Sequence, residues 1–104
     1  MTEAEFQHAI VQLAGYLGWT YYHARPAQRD GRWATHFDGA PGFPDLVLVH
    51  PDRGVIFAEI KTDRGRVTPG QRLWLNRLDE AGQNAVVWRP QDWQTITDTL
   101  KGNP

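Results

Sequence analysis

The sequence predicts a small α/β sandwich, with helices packed on one mixed β-sheet. Three observations carry that expectation. Apolar residues recur at helical spacing in "TEAEFQHAIVQLAGYL", in "TPGQRLWLNRL" and in "PQDWQTITDTLKG". Between the first two lie two strand-like runs, "DLVLVH" and "VIFAEIK", split by the turn "PDRG". The chain has 104 residues, enough for one domain with a real core and little to spare. The expected order is α-β-β-β-α-β-α, over a single domain spanning residues 1–104.

The elements follow in turn. Thr2 caps the first helix, and Glu5 three residues on is its reciprocal partner in a capping box. Phe6, Ile10, Leu13 and Leu17 share one face of that helix, and Gly18 ends it. "WTYYHA" at 19–24 is short and aromatic and reads as a strand. Residues 25–43, "RPAQRDGRWATHFDGAPGF", hold Gly, Pro and charge without a steady period, and read as one long loop. The two apolar runs then form a hairpin. Thr68, Pro69 and Gln71 supply the N-cap, first position and capping partner of the next helix, which runs through Trp74, Leu75 and Leu78 to Gly82. "NAVVW" at 84–88 is a strand, and a last helix places Trp93, Ile96 and Leu100 on one side.

Composition narrows the function classes. There are no cysteines, which excludes disulfides and a cysteine zinc site and fits a reducing cytoplasm. No apolar run approaches the ~18 residues of a membrane span, and the acidic, amphipathic N-terminus is not a signal peptide. Net charge is −1, so overall charge announces no polyanion binder. Nine of the eleven basic residues are arginine, whose forked guanidinium suits phosphate. Arg25, Arg29 and Arg32 fall in one stretch, and Arg64, Arg66 and Arg72 in another. His8, His23, His36 and His50 lack a close ligand spacing and read as ordinary surface or core residues.

The unusual feature is charge inside sheet. Side chains alternate along a strand, so Glu59 and Lys61 point the same way, roughly 7 Å apart. A tight turn at 51–54 brings Asp45 level with them on the neighbouring strand. Buried carboxylates cost several kcal/mol unless compensated, on the order given by burial of isolated charge. Two compensations are open: a structural salt bridge to Lys61, or a divalent cation, since Mg²⁺ takes oxygen ligands. In "DGAPGFP", Gly39 and Gly42 would let backbone approach a ligand, and Pro41 and Pro44 stiffen the entry to Asp45. Glu3 lies at the centre of the first helix's apolar face and aims toward the sheet, although a first-turn acid is also favoured by the helix dipole. Gln71 looks inward too, and its capping role suffices to explain it.

"GFPDLVLV", "AEIK" and "TPGQRLWLNRL", with the first helix, "YYH" and "AGQNAVVWRP", resemble the VRR-NUC family of the PD-(D/E)XK nuclease superfamily. The short stand-alone members of that family are often encoded by phages and prophages. The resemblance covers nearly the whole chain. It implies a restriction-endonuclease-like fold and a Mg²⁺- or Mn²⁺-dependent endonuclease acting on DNA. It makes Asp45, Glu59 and the backbone carbonyl of Ile60 metal ligands, Lys61 the catalytic lysine, Glu3 the helix acid at the metal and Gln71 the motif glutamine. His23 would touch substrate or an outer-shell water, or stand as a polar strand-end residue. Arg25, Arg29, Arg32, Arg64 and Arg66 would hold phosphates, and Trp33 would stack on an unpaired base or anchor its own loop. Holliday-junction-like or otherwise branched DNA and a homodimer are the implied substrate and assembly. A non-catalytic DNA-binding module of a phage DNA-processing complex is the alternative.

Overall fold

A computed structural model describes residues 1–24 and 38–103, with the backbone of two short strands at 27–29 and 32–34. The elements are α1 (Glu3–Tyr16), β1 (Thr20–His23), β2 (Ala27–Arg29), β3 (Arg32–Ala34), β4 (Leu46–His50), β5 (Gly54–Ile60), α2 (Pro69–Glu80), β6 (Asn84–Trp88) and α3 (Trp93–Lys101). A 3₁₀ turn, Pro90–Asp92, precedes α3. The expected order holds with one correction. The stretch read as a continuous loop contains the antiparallel pair β2–β3. Strands of three residues are too short for an alternation to register in sequence.

Both capping boxes form. The Glu5 amide donates to Thr2 Oγ1 at 3.1 Å, and the Thr2 amide to Glu5 Oε1 at 2.9 Å. At α2 the Gln71 amide donates to Thr68 Oγ1 at 3.2 Å, and the Thr68 amide to Gln71 Oε1 at 2.9 Å. Each box satisfies donors that a helix start otherwise leaves orphaned.

The main sheet has the order β1-β4-β5-β6. The β4–β5 hairpin is antiparallel, β1 pairs antiparallel with β4, and β6 joins β5 in parallel after the crossover through α2. A parallel pair needs such a crossover, which is why β6 follows a helix rather than a turn.

The two faces of the sheet differ. Leu46, Leu48, Ile56, Ala58, Ile60 and Trp88 are buried on one face, against Phe6, Ile10 and Ala14 of α1 and Ile96 and Leu100 of α3. Trp19 Nε1 and an Arg53 guanidinium nitrogen both donate to the Leu100 carbonyl, at 2.9 and 2.6 Å, and pin α3 to this layer. The other face carries Val47, Phe57 and Glu59. There α2 packs beside β6, and Phe43 meets Phe57 and Trp74 edge-on at 6.0 and 5.0 Å.

Candidate active site

The site forms where β4 begins and β5 ends. Leu46 pairs with Ala58, so the next pair outward sets Asp45 opposite Glu59. Directly opposed residues of an antiparallel pair share a face, with Cα atoms about 4.5–5.5 Å apart. Leu46 and Ala58 take the core side, which turns both acids to the other side. Glu59 is 1% exposed. Asp45 and Lys61 are half-buried.

Several contacts fix Asp45. Its Oδ2 accepts from the Ile60 amide at 2.9 Å. Its carbonyl lies 3.1 Å from His23 Nδ1, which donates in this contact because a carbonyl only accepts. His23 therefore braces the Asp45 peptide from β1. Pro44 is buried beside it. One step earlier, a Cβ on Gly42 would fall 2.4 Å from the Gly70 carbonyl carbon, and one on Gly70 would fall 2.9 Å from the Pro41 oxygen. Gly42 also has φ +101°, a conformation L side chains rarely adopt. The expected close approach at Gly42 is real, but its partner is the first turn of α2 and not a ligand. Gly39 meets nothing within 4 Å and serves its φ of +114°. Trp74 Nε1 donates to the Ala40 carbonyl at 3.1 Å and secures the same segment.

Glu59 is the electrostatic anomaly. Its Oε1 is buried, and no donor among the described residues reaches it. Burial is the main cause that pushes its pKa up to about 9. Its hydrogen bond with the Asp45 carboxyl and the Asp45 charge raise it further, the Lys61 charge lowers it, and the Glu3 charge raises it. A carboxyl pair in hydrogen-bonding contact holds together only with a proton between its members, or with a cation in its place.

The two compensations left open by the sequence can now be separated. Among the described residues the one ion pair is Arg77–Glu80, so Lys61 bridges neither acid. Its ammonium is near enough to be felt and remains available to a third party.

The other expected site residues are placed as follows. Glu3 is exposed at the start of α1, and its charge reaches Glu59. Among the described residues, however, no group of three or more His, Cys, Asp or Glu side chains gathers at metal-binding range, so Glu3 does not complete a third carboxylate beside the pair. Glu3 lies in the first turn, ahead of the packed part of α1, whose buried residues begin at Phe6. Gln71 spends its side-chain oxygen on the α2 cap. Arg64 and Arg66 are exposed on the turn that follows Lys61. Arg25 and the side chains of Arg29, Arg32 and Trp33 lie outside the described residues, as does His36. Arg29 and Arg32 are paired in backbone register across β2–β3.

Sequence reasoning missed the contact at Gly70 and that of the Arg89 guanidinium, which donates to the Thr62 and Gly65 carbonyls. Glycine in the first turn of a helix is a poor helix former, and that misfit was the available signal for a close backbone contact. Arg89 gave no signal, because a lone arginine reads as surface.

The family model of the VRR-NUC domain matches residues 10–92 of the 104. The chain belongs to the VRR-NUC family. The mixed sheet flanked by helices is its PD-(D/E)XK-like fold, and the match encloses Asp45, Glu59, Lys61, Gln71 and Arg89. No curated protein matches the chain well enough to count as a relative. Membership makes this a nuclease-type DNA-processing domain, with DNA as substrate and a divalent metal ion as cofactor. The residues fit such an ion: two facing carboxylates, one with an orphaned buried oxygen, form a hard-oxygen donor set that lacks a positive partner. No helix among the described residues is long and apolar enough to cross a membrane.

Proposed function

We propose that this chain is a Mg²⁺- or Mn²⁺-dependent endonuclease that hydrolyses DNA phosphodiester bonds, with Asp45, Glu59 and the Ile60 carbonyl holding the ion and Lys61 acting in the chemistry. The observation that carries this reading is buried Glu59 against half-buried Asp45, with a Glu59 oxygen that no donor among the described residues reaches. A structural acid pair would be satisfied by lysine, and this one is not. The Ile60 amide points at Asp45, and in a strand the carbonyl of a residue faces the same neighbour as its amide, so the Ile60 oxygen opens toward the acids.

When bound, a divalent ion supplies a Lewis acid that polarises a phosphoryl oxygen and a water. The protein's own residues do the rest. The acids fix where the reacting phosphate sits. The Lys61 ammonium, free of an ion pair among the described residues, orients the attacking water and stabilises charge growing on the phosphate oxygens. Arg64 and Arg66 sit exposed just beyond Lys61, where they would grip phosphates on either side of the scissile bond. Contacts of this kind read backbone and not base edges, which supports selection by DNA shape, on branched or Holliday-junction-like substrates. A homodimer of this domain would engage two strands of a junction, in a cytoplasmic, phage or prophage setting.

The test is cleavage of linear duplex, single-stranded, flap and four-way-junction DNA, with Mg²⁺, with Mn²⁺ and with chelator. Cutting is expected only with metal, and Asp45→Ala and Lys61→Ala are expected to lower it by about 10³-fold or more, the scale of losing one electrostatic group from a catalytic site. DNA binding without cutting under either metal would sink the nuclease reading in favour of a non-catalytic DNA-binding module.

A further inference from the structure

Beyond its last strand residue, β5 is tied to the segment after β6 by a second set of contacts. The Lys61 amide donates to the Trp88 carbonyl at 3.0 Å and continues the parallel ladder by one step. The Gln91 amide donates to Asp63 Oδ1 at 3.1 Å. Between them, one guanidinium nitrogen of Arg89 donates to two carbonyls of the turn at once, Thr62 at 2.6 Å and Gly65 at 2.7 Å. The Gly65 amide in turn donates to the Thr62 carbonyl at 3.3 Å, so the arginine closes the turn on itself. Gly65 is packed against the lysine: a Cβ there would lie 3.4 Å from Lys61 Cδ and 3.1 Å from Thr62 Oγ1. The Lys61 stem thus rests on a turn whose shape a half-buried arginine sets.

We propose that Arg89 is a positioning residue, which aims the Lys61 ammonium at the Asp45–Glu59 pair by clamping the Thr62–Gly65 turn beneath the lysine stem. The proposal rests on the nuclease reading for its catalytic consequence, but not for the clamp itself. Lysine has four rotatable bonds, and among the described residues no ion pair holds Lys61. The turn against its stem is the contact that can aim it. Charge-assisted bonds to backbone carbonyls are among the stronger a side chain can make, and two from one nitrogen leave the turn little freedom.

Two readouts separate the parts. The first is independent of catalysis: trypsin cleavage after Arg64 and Arg66 in the folded protein, expected to speed up about tenfold in Arg89→Met and not in Arg77→Ala. The second is kinetic. On whichever DNA the wild type cuts, Arg89→Met should lower kcat about tenfold or more, with DNA affinity and Tm-corrected folded fraction within about twofold. Arg89→Lys, able to reach one carbonyl, should retain part of the rate. Gly65→Ala removes no hydrogen bond and crowds the lysine stem directly; it should lower kcat as well, and the double variant should lose less than the product of the two. This variant keeps the test sharp if Arg89→Met does not fold. Unchanged trypsin sensitivity overturns the clamp. A loosened turn with unchanged kcat overturns the positioning role. A wild type that cuts no DNA overturns the nuclease reading and leaves the trypsin comparison to decide the clamp alone.

Discussion

Strand β5 carries two populations of side chains that alternate one by one. Ile56, Ala58 and Ile60 face α1 and α3 and are 1% exposed or less. Phe57, Glu59 and Lys61 face the other way, toward Phe43, Asp45 and open solvent beside α2. The first set has every partner it needs: apolar atoms against apolar atoms. The second contains an acid as deeply buried as any isoleucine, with no donor among the described residues on one oxygen. Burial is nearly the same for Ile60 and Glu59, yet it stabilises the fold on one side and works against it on the other. The core face of the strand is optimised for the folded state alone. The site face carries an electrostatic misfit, and the core supplies the stability that makes this tolerable.

Substitutions on the two faces should therefore have opposite signs. The largest effect is expected on the core side. Leu48→Ala should cost about 2–5 kcal/mol in denaturant unfolding, the range for removing a fully buried leucine, while acidic-site metal binding per folded molecule stays intact. A cost under ~1 kcal/mol would break the contrast. Next, Glu59→Gln should raise the stability of the metal-free protein at pH 8 by about 0.5–2 kcal/mol, the usual gain from relieving a functional misfit. It should also abolish stabilisation by Mg²⁺ or Mn²⁺. The sign follows from linkage. Folded Glu59 holds its proton up to about 9, whereas the unfolded group releases it near its ordinary value of 4.5. Between those limits the folded state binds more protons, so metal-free stability falls as pH rises through that window. Saturating metal should flatten the slope, and so should Glu59→Gln. A metal-free stability that climbs from pH 5 to 8 would refute the assignment. The smallest effect belongs to neither face. Arg77→Ala breaks an ion pair whose side chains are 67% and 62% exposed, and melting should show a loss of at most about 1 kcal/mol.

Much of this was legible in the chain because it is local. The Thr2–Glu5 and Thr68–Gln71 boxes are three-residue relations, and both helix starts follow from them. The "PDRG" turn and the alternation of β5 fixed the register that sets Asp45 against Glu59, since a one-residue slip would have reversed every side chain. What was not legible depends on contacts between distant segments. The β2–β3 pair is short and polar. The closeness of Gly42 to Gly70 exists only once α2 is docked. The Arg89 carbonyl contacts span 27 and 24 residues. His23 at Asp45 is the intermediate case: its presence near the site was expected, but its contact with a backbone carbonyl requires β1 to lie beside β4.

The meeting of Gly42 with Gly70 has a consequence for how this scaffold can vary. From Ala40 onward the path into Asp45 is held twice, by the indole of Trp74 on the Ala40 carbonyl and by the close backbone approach of Pro41–Gly42 to Gly70. That short tether behaves as a ruler: an added or deleted residue within it would move the acid off its mark. The spacing from Ala40 to Asp45 is therefore the dimension of this scaffold least open to insertion or deletion.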